Sequence, residues 1–461
     1  MAPDRTYDRS ADVDHGALVS LAAFHDWWAE RHRHGRFAVD RIAFSALDAW
    51  SFERRTGNLR HTSGRFFAVE GLQVRDGSAD TWCQPVINQP EIGILGILVK
   101  EFDGVLHFLM QAKMEPGNVN LVQLSPTVQA TRSNYTEVHQ GTSTRYLEYF
   151  VDRALGRVLV DVLQSEQGAW FWRKRNRNMV VWVSDDVPVH EDYCWLTLAQ
   201  IRELTRVDNL VNMDARTVLS CLPFALPDEG VATQDPFRAA LVHSYRSRGR
   251  PAALYTSGEI LSWFTEAKTR CDWTARLVPL GEVNGWSISD EEISEQACRH
   301  FQIIAVGVEA STREVQRWTQ PMLYPQGVGY AVFVVRPIDG VMHLLVQAQP
   351  EFGLTDLVEL APTLHLRPGT ELSGAPDPLL YQALASPGAR TRYDAVLSEE
   401  GGRFYQALTR YQIVEVGEEV PVRVPPNYCW LTVRQLMDLL AHPYYINIQA
   451  RSLLACLHSL W

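Results

Sequence analysis

The chain is missing the signatures that mark the commonest catalytic classes. It has no GxxxxGK[ST] run, no credible GxGxxG between a strand and a helix, and no HExxH, which leaves P-loop, nicotinamide and zinc-hydrolase chemistry without support. It has no GxSxG nucleophile elbow, and no helix that sets out several glutamates to hold magnesium for pyrophosphate cleavage. Seven cysteines are few for 461 residues, odd in number and without a CxxC. Four of them form repeat-related pairs among apolar neighbours (Cys194 with Cys429, Cys221 with Cys456) and are read as reduced core residues. Cationic residues are in the minority: 43 Lys and Arg against 54 Asp and Glu give a net charge of -11. That argues against a nucleic-acid or anionic-membrane binder, while leaving room for a local basic pocket that holds a phosphorylated small molecule. The longest aliphatic runs, such as Ile92 to Val99, fall far short of a membrane span. The opening MAPDRTYDRS has no apolar core of a secretory signal. The expectation is a cytoplasmic protein with no nucleic-acid and no membrane partner.

What the chain does contain, it contains twice. Trp82 to Thr127 reappears without a gap as Trp318 to Thr363, an offset of 236. Tyr193-Cys194-Trp195-Leu196-Thr197 returns as Tyr428-Cys429-Trp430-Leu431-Thr432, and Asn212, Ala215-Arg216 and Cys221-Leu222 return as Asn447, Ala450-Arg451 and Cys456-Leu457. Trp27 and Trp50 have partners in Trp263 and Trp286. A period this long is a duplicated domain, since solenoid repeats run only about 20–50 residues. The domains are therefore expected at 1–225 and 258–461, with a linker at 226–257 carrying a short helix from Pro236 to Tyr245.

Each copy shows the same elements in the same order. A short helix opens it (Ala22 to Arg31; Gly258 to Lys268), followed by a strand (Phe66 to Val74; Phe301 to Val308). A hairpin follows, turning at Asp103-Gly104 in one copy and Asp339-Gly340 in the other, where both residues must take positive φ. Further strands are expected at Asn178 to Val183 and Tyr411 to Val416. Thr197 and Thr432 each start a helix with the Thr-x-x-Gln form of a capping box. Asn-x-x-Ala-Arg then marks a last helix. The fold class is α+β, a mixed sheet flanked by helices in each of two tandem copies.

The differences between the copies point to chemistry. Lys113 becomes Gln349, Asn118 becomes Leu354, Gln123 becomes Glu359 and Ser125 becomes Ala361. Arg173, Lys174, Arg175 and Asn178 become Gln406, Ala407, Leu408 and Tyr411, and Gln129 to Gly141 has no recognisable twin. These changes fall at turns and strand ends, where sites usually sit. Arg173, Arg175 and Lys113 suit a diphosphate. Asn134, Asn118 and Ser125 suit sugar hydroxyls, and Tyr135, His139, Glu115 and Glu166 can exchange protons. His107 and His343, shared by both copies, are read as structural, and Asp214 as a possible helix cap.

Trp50, Gly57 to Phe67, Gln111 to Asn118, Ser125 to Thr131, Ser133-Asn134-Tyr135, Ser165 to Gly168 and Asn212 to Arg216 together resemble the NDP-hexose 2,3-dehydratase family, over nearly the whole chain. The resemblance implies two duplicated Nudix-like domains, an active pocket in the N-terminal one and a relict nucleotide-sugar pocket in the other. The missing magnesium helix agrees with an enzyme that must leave the diphosphate intact. The implied substrate is dTDP-4-keto-6-deoxyglucose, in deoxysugar biosynthesis for antibiotics. The chemistry would be proton abstraction at carbon 3 and loss of the carbon-2 hydroxyl, with no redox cofactor and no metal. It needs a general base, a general acid and donors to the enolate oxygen. Glu115 or His139 would be the base and Tyr135 or Glu166 the acid, with Lys113 and Asn118 stabilising the enolate. Arg173 and Arg175 would hold the diphosphate; His61 and Ser63 would reach the sugar, and Thr127 and Asn178 complete the substrate contacts. Trp318, Glu351 and Arg403 would leave a weak nucleotide site in the second copy. The implied partners are a downstream sugar 3-ketoreductase or aminotransferase and a second copy of the chain in a homodimer. Two other readings stay open: a Nudix-like nucleotide-sugar hydrolase, and a nucleotide-sugar binding protein without activity.

Overall fold

The computed structural model describes residues 16–77, 81–131, 144–224, 234–247, 249–295, 300–311, 315–370 and 383–461. Local chemistry sets the elements where the sequence puts them. Helix Leu21–His34 starts at Ser20, whose hydroxyl accepts from the Ala23 amide, and Ser257–Arg270 starts at Thr256 with a capping box to Glu259. The capping boxes of Thr197 with Gln200 and Thr432 with Gln435 both form. The turns at Asp103-Gly104 and Asp339-Gly340 have positive φ at all four residues. His107 and His343 each donate from Nδ1 to a carbonyl two residues back (Val105, Val341) and accept a backbone amide (Leu18, Leu254) at Nε2. Both are structural. Among the described residues, no helix is long and apolar enough to cross a membrane.

Each copy builds a seven-stranded mixed sheet. In the first, Gly93–Phe102 and Val105–Met114 form the central hairpin, and Arg175–Val183 runs parallel to Gly93–Phe102. In the second, Val328–Ile338 and Val341–Pro350 form the hairpin, with Leu408–Glu415 parallel to the former. Among the described residues two five-stranded sheets join these, and each is shared between the copies. Phe37–Ile42 of the first copy adds to Phe301–Ala310 of the second, while Thr274–Val278 of the second adds to Ala68–Arg75 of the first. The helix Pro236–Arg246, expected between the copies, packs Phe237, Leu241 and Tyr245 into the second copy's core.

The exchange is reciprocal down to single bonds. The amide of Gly117 donates to Gly401 O at 2.7 Å, and that of Gly353 donates to Gly168 O at 2.9 Å. Gln406 N donates to Gly117 O and Arg173 N to Gly353 O, both at 2.7 Å. A Cβ on Gly117 would lie 1.8 Å from Phe404 O, and one on Gly353 2.1 Å from Phe171 O, so only glycine allows the backbones this close. Phe171 and Phe404 meet at the centre, ring centroids 5.0 Å apart. Behind them, two fully buried arginines cross over: Arg216 Nη2 donates to Ser398 O at 2.8 Å, and Arg451 Nη2 donates to Ser165 O. Each guanidinium thus holds the strand end that leads into the other copy's acidic loop, Glu399-Glu400 or Glu166-Gln167.

Gly353→Ala is expected to lower the unfolding free energy by about 3 kcal/mol, the upper end for overpacking, because the obstructing atoms are backbone. A denaturant titration measures it, and an unchanged midpoint would show that the two turns are not locked together.

Candidate active site

A cavity of about 490 Å3 opens where the two copies meet. The first copy contributes Trp50, His61, Lys113, Glu115, Glu166 and Lys174 to its wall, and the second contributes Arg317, Trp318, Glu400 and Arg403. Strand parity explains the floor. Arg175–Val183 alternates, so Lys174, Asn176 and Asn178 face inward and Arg175 and Arg177 outward. Lys174 donates to Glu91 O at 2.5 Å, and Asn176 donates to Glu166 Oε1 at 2.7 Å.

Glu115 sits in a cradle of amides. Gln129 Nε2 donates to Oε1 at 2.5 Å and Asn212 Nδ2 approaches Oε2 at 3.4 Å. Asn212 is itself held by Ser125 Oγ at 2.9 Å, and its Oδ1 caps the helix Met213–Leu219 at Ala215 N. Lys113 Nζ donates to Gln129 O at 3.0 Å, which puts an ammonium group beside the same cradle. Glu400 accepts from Arg403 Nη1 and from the Arg403 amide, both at 2.8 Å. Trp50 donates to Thr319 O at 3.0 Å and packs edge-on against His61, ring centroids 5.2 Å apart.

Burial sets the protonation landscape. It pushes Glu166 up to about 7, with Arg451 opposing and Glu400 reinforcing. It brings Lys174 down to about 8, and Arg403 adds to the effect. Glu115, Asp214 and Glu400 offer carboxylate oxygens within 4.8 Å of one another. A cation would need those oxygens free, yet Glu400 is paired with Arg403 and Glu115 is bound by two amides. The donor set fits carboxyl groups that divide protons among themselves better than a metal centre.

Of the residues expected from sequence, His61, Lys113, Glu115 and Glu166 line the cavity. Ser63 stays outside the lining and bonds His61 Nδ1 at 2.7 Å. Asn118 is buried in its own turn, donating to Leu121 O at 3.5 Å, and Ser125 acts on the cradle only through Asn212. Four others lie away from the cavity lining. Thr127 accepts Leu98 N and donates to Leu109 O, as Thr363 does for Val334 and Leu345, so it ties strands together. Asn178 points inward but too deep, donating to Thr217 Oγ1 at 3.0 Å. Arg175 faces away from the cavity. Arg173 is exposed over the Trp172 ring at 4.6 Å, because its φ of 50° serves the backbone bond to Gly353. Asn134, Tyr135 and His139 lie outside the described residues. Trp318 and Arg403 do not form a site of their own in the second copy; they close this one.

The matching place in the second copy is occupied by side chains. Phe352, where the first copy has Pro116, is 2% exposed and packs edge-on against Trp82, with the Arg367 guanidinium 5.5 Å over its ring. His365, where the first copy has Gln129, lies 3.5 Å from Glu351 and is pushed down to about 3 by burial and by Arg367. Burial pushes Glu351 up to about 7, with the Glu359 charge reinforcing. Sequence reasoning missed Lys174, Asn176, Gln129, Asp214 and Glu400. The signal for the last two was present: the repeat alignment pairs Asp214 with Gln449 and Glu400 with Gln167.

The model of the NDP-hexose 2,3-dehydratase family matches residues 21–222 and again 257–457. The chain belongs to that family, and the double match is the duplication seen in the sequence and in the sheets. Among its relatives is a protein of Saccharopolyspora spinosa, 51% identical over 452 residues, covering 96% of this chain and 92% of the relative. One from Amycolatopsis orientalis is 48% identical, covering 98% and 93%, and one from Streptomyces violaceoruber is 48% identical, covering 96% and 98%. All three are named dTDP-4-dehydro-6-deoxy-alpha-D-glucopyranose 2,3-dehydratase.

Two matched substitutions separate the copies. Glu115→Gln is expected to lower turnover of the sugar nucleotide by at least about 10²-fold, the usual worth of a general base, while Glu351→Gln leaves it near the wild-type level. The second variant also gains stability. A carboxyl raised from 4.5 to about 7 on folding holds a proton that the unfolded chain has released, so wild-type stability falls as pH climbs through that window. Glu351→Gln removes this penalty, roughly 3 kcal/mol above pH 7. Denaturant midpoints at pH 5 and pH 8 should differ less in the variant, and equal slopes would exclude a buried proton on Glu351.

Proposed function

We propose that this chain removes water across carbons 2 and 3 of dTDP-4-dehydro-6-deoxyglucopyranose, giving a dTDP-3,4-diketo-2,6-dideoxyhexose. The observation that carries the reading is the Glu115 carboxylate on the cavity wall: it is buried, bound by amides rather than by a cation, and flanked by the Lys113 ammonium. A base held this way does not have its lone pairs tied up by a guanidinium.

The ketone at carbon 4 acidifies the hydrogen on carbon 3. Glu115 takes that proton, and the developing enolate oxygen is met by Lys113, whose positive charge counts for more in a buried site than in water. The hydroxyl on carbon 2 then leaves with a proton from a second carboxyl group of the cavity. The enol that results becomes the diketone. Substrate and product have the same elements apart from one water, so the residues need supply only protons and charge. Trp318 and Arg317 at the rim, and Lys174 and Arg403 further in, supply an aromatic face and positive charge for the nucleotide and its diphosphate. The N-terminal copy carries the base and the second copy closes the site over it.

The fold reading that goes with this is a pair of Nudix-like units. Its support is the twice-repeated mixed sheet, with one parallel pair between flanking elements. The product's adjacent ketones are reactive, and a ketoreductase or aminotransferase acting at carbon 3 would consume it.

Incubation with the 4-keto sugar nucleotide in deuterated water with EDTA, followed by reductive trapping, tests the proposal. The expected product lacks the carbon-2 hydroxyl and carries deuterium at carbon 2. Recovery of unchanged sugar would leave a binding protein, and metal-dependent release of dTMP would make it a hydrolase.

A further inference from the structure

The dehydratase reading leaves the acid unnamed, and the cavity holds more than one carboxyl able to serve. We propose that Asp214 is the catalytic acid that gives its proton to the hydroxyl departing from carbon 2. The inference rests on the proposed elimination and adds to it the identity of the second proton-transferring group.

Position is the first argument. Asp214 lies in the first turn of Met213–Leu219, directly after the Asn212 cap whose side chain reaches Glu115. It lines the cavity, and its carboxyl oxygens come within 4.8 Å of those of Glu115 and Glu400. Glu166 is not part of that trio. In a gluco-configured chair the axial hydrogen on carbon 3 and the equatorial hydroxyl on carbon 2 are gauche, not anti. Base and acid must therefore act from neighbouring points, and Asp214 is the neighbour of Glu115 that carries no ion pair among the described residues.

The second argument is where the proton resides. Three carboxyls this close cannot all be ionised in a buried site. Glu400 accepts three bonds from the 402–403 turn and the Arg403 guanidinium, and Glu115 accepts amide N–H groups. Burial raises Glu400, but the Arg403 guanidinium and amide work against that rise. Asp214 is 3% exposed, and its Oδ1 has no hydrogen-bond partner among the described residues. Burial pushes it well above the ordinary carboxyl range, reinforced by Glu166, Glu115 and Glu400. Two carboxyls whose surroundings drive their proton affinities apart are the usual form of an acid–base pair.

The third argument comes from the duplication. The second copy keeps the glutamate of the trio as Glu351 but has Gln449 for Asp214 and Gln167 for Glu400. It has lost the acid where its cavity is filled, and the fold accepts a neutral side chain there.

The step balances. Glu115 removes hydrogen from carbon 3 as a proton, and the bonding pair forms a carbon 3–carbon 4 double bond while the carbonyl pair moves onto oxygen 4. As the carbonyl re-forms, the double bond shifts to carbons 2 and 3 and the carbon–oxygen bond at carbon 2 breaks with its pair on oxygen. That oxygen takes the Asp214 proton and leaves as water. Glu115 then holds a proton and Asp214 does not, and their proximity allows the pair to reset as the enol tautomerises.

The experiment uses Asp214→Asn in the full-length chain, with Asp214→Gln, the residue native to the sister copy, as a second variant. Turnover of the 4-keto sugar nucleotide should fall at least about 10²-fold. Exchange of the carbon-3 hydrogen for deuterium in recovered substrate should stay within about tenfold of wild type, because Glu115 is intact. Release of fluoride from the 2-deoxy-2-fluoro analogue needs no proton and should also stay within about tenfold. Variants that turn over the natural substrate like wild type overturn the assignment. Loss of exchange and fluoride release together with turnover, in both variants, also overturns it, by showing a structural role. A wild-type enzyme that leaves the natural substrate unchanged would instead sink the dehydratase reading beneath it.

Discussion

The close backbone contact between the copies is the constraint on which everything else depends. Gly117 against Gly401 and Gly353 against Gly168 bring two turns together with no space for a side chain between them. That approach carries the Glu400–Arg403 turn onto the wall of the first copy's cavity, and carries the equivalent Gln167–Trp170 turn onto the second copy's filled site. The strands exchanged through the shared sheets hold the same arrangement from outside. Neither half has a complete cavity alone.

The interior made in this way holds more ionisable groups than an ordinary core. Buried charge is tolerated only when paired or neutralised, and both devices are in use. Arg403 pairs with Glu400, and Arg216 and Arg451 each donate to a backbone carbonyl of their own half and to one of the opposite half. Burial raises Glu166 and Asp214 towards neutrality. A single low-dielectric cavity thus sets carboxyls of different surroundings side by side, an arrangement suited to acid–base chemistry. In the second copy the same scaffold carries Phe352, His365 and Arg367, and apolar packing replaces the balance of charges.

Much of the fold could be read from the sequence because its signals are local. The two Asp-Gly turns, both Thr-x-x-Gln capping boxes and the repeat itself depend on residues close together along the chain, and all are realised. The site was half legible. Glu115 and Lys113 stood out because the copies differ around them. Composition marked the basic run at 173–178, but which of its residues face inward depends on strand parity and on the positive φ of Arg173. Asp214 was read as a cap because Asn212, two residues earlier, takes that role only once the helix start is known. Glu400 belongs by sequence to the second copy, and nothing local says that it serves the first. Crossing of the copies is a tertiary fact, and the sequence carried it only as mismatched pairs in the repeat alignment.

The reciprocity of those contacts is that of a two-fold interface between identical subunits, in which residue i of one meets j of the other and j meets i. Here the interface is written into one polypeptide. In a symmetric pair of separate chains, any substitution appears at both sites, so a change that fills one cavity fills both. Covalent fusion lifts that restriction. Phe352, Arg367 and Gln449 occupy one site without their counterparts occupying the other, and such divergence is open only to a dimer encoded as a single chain.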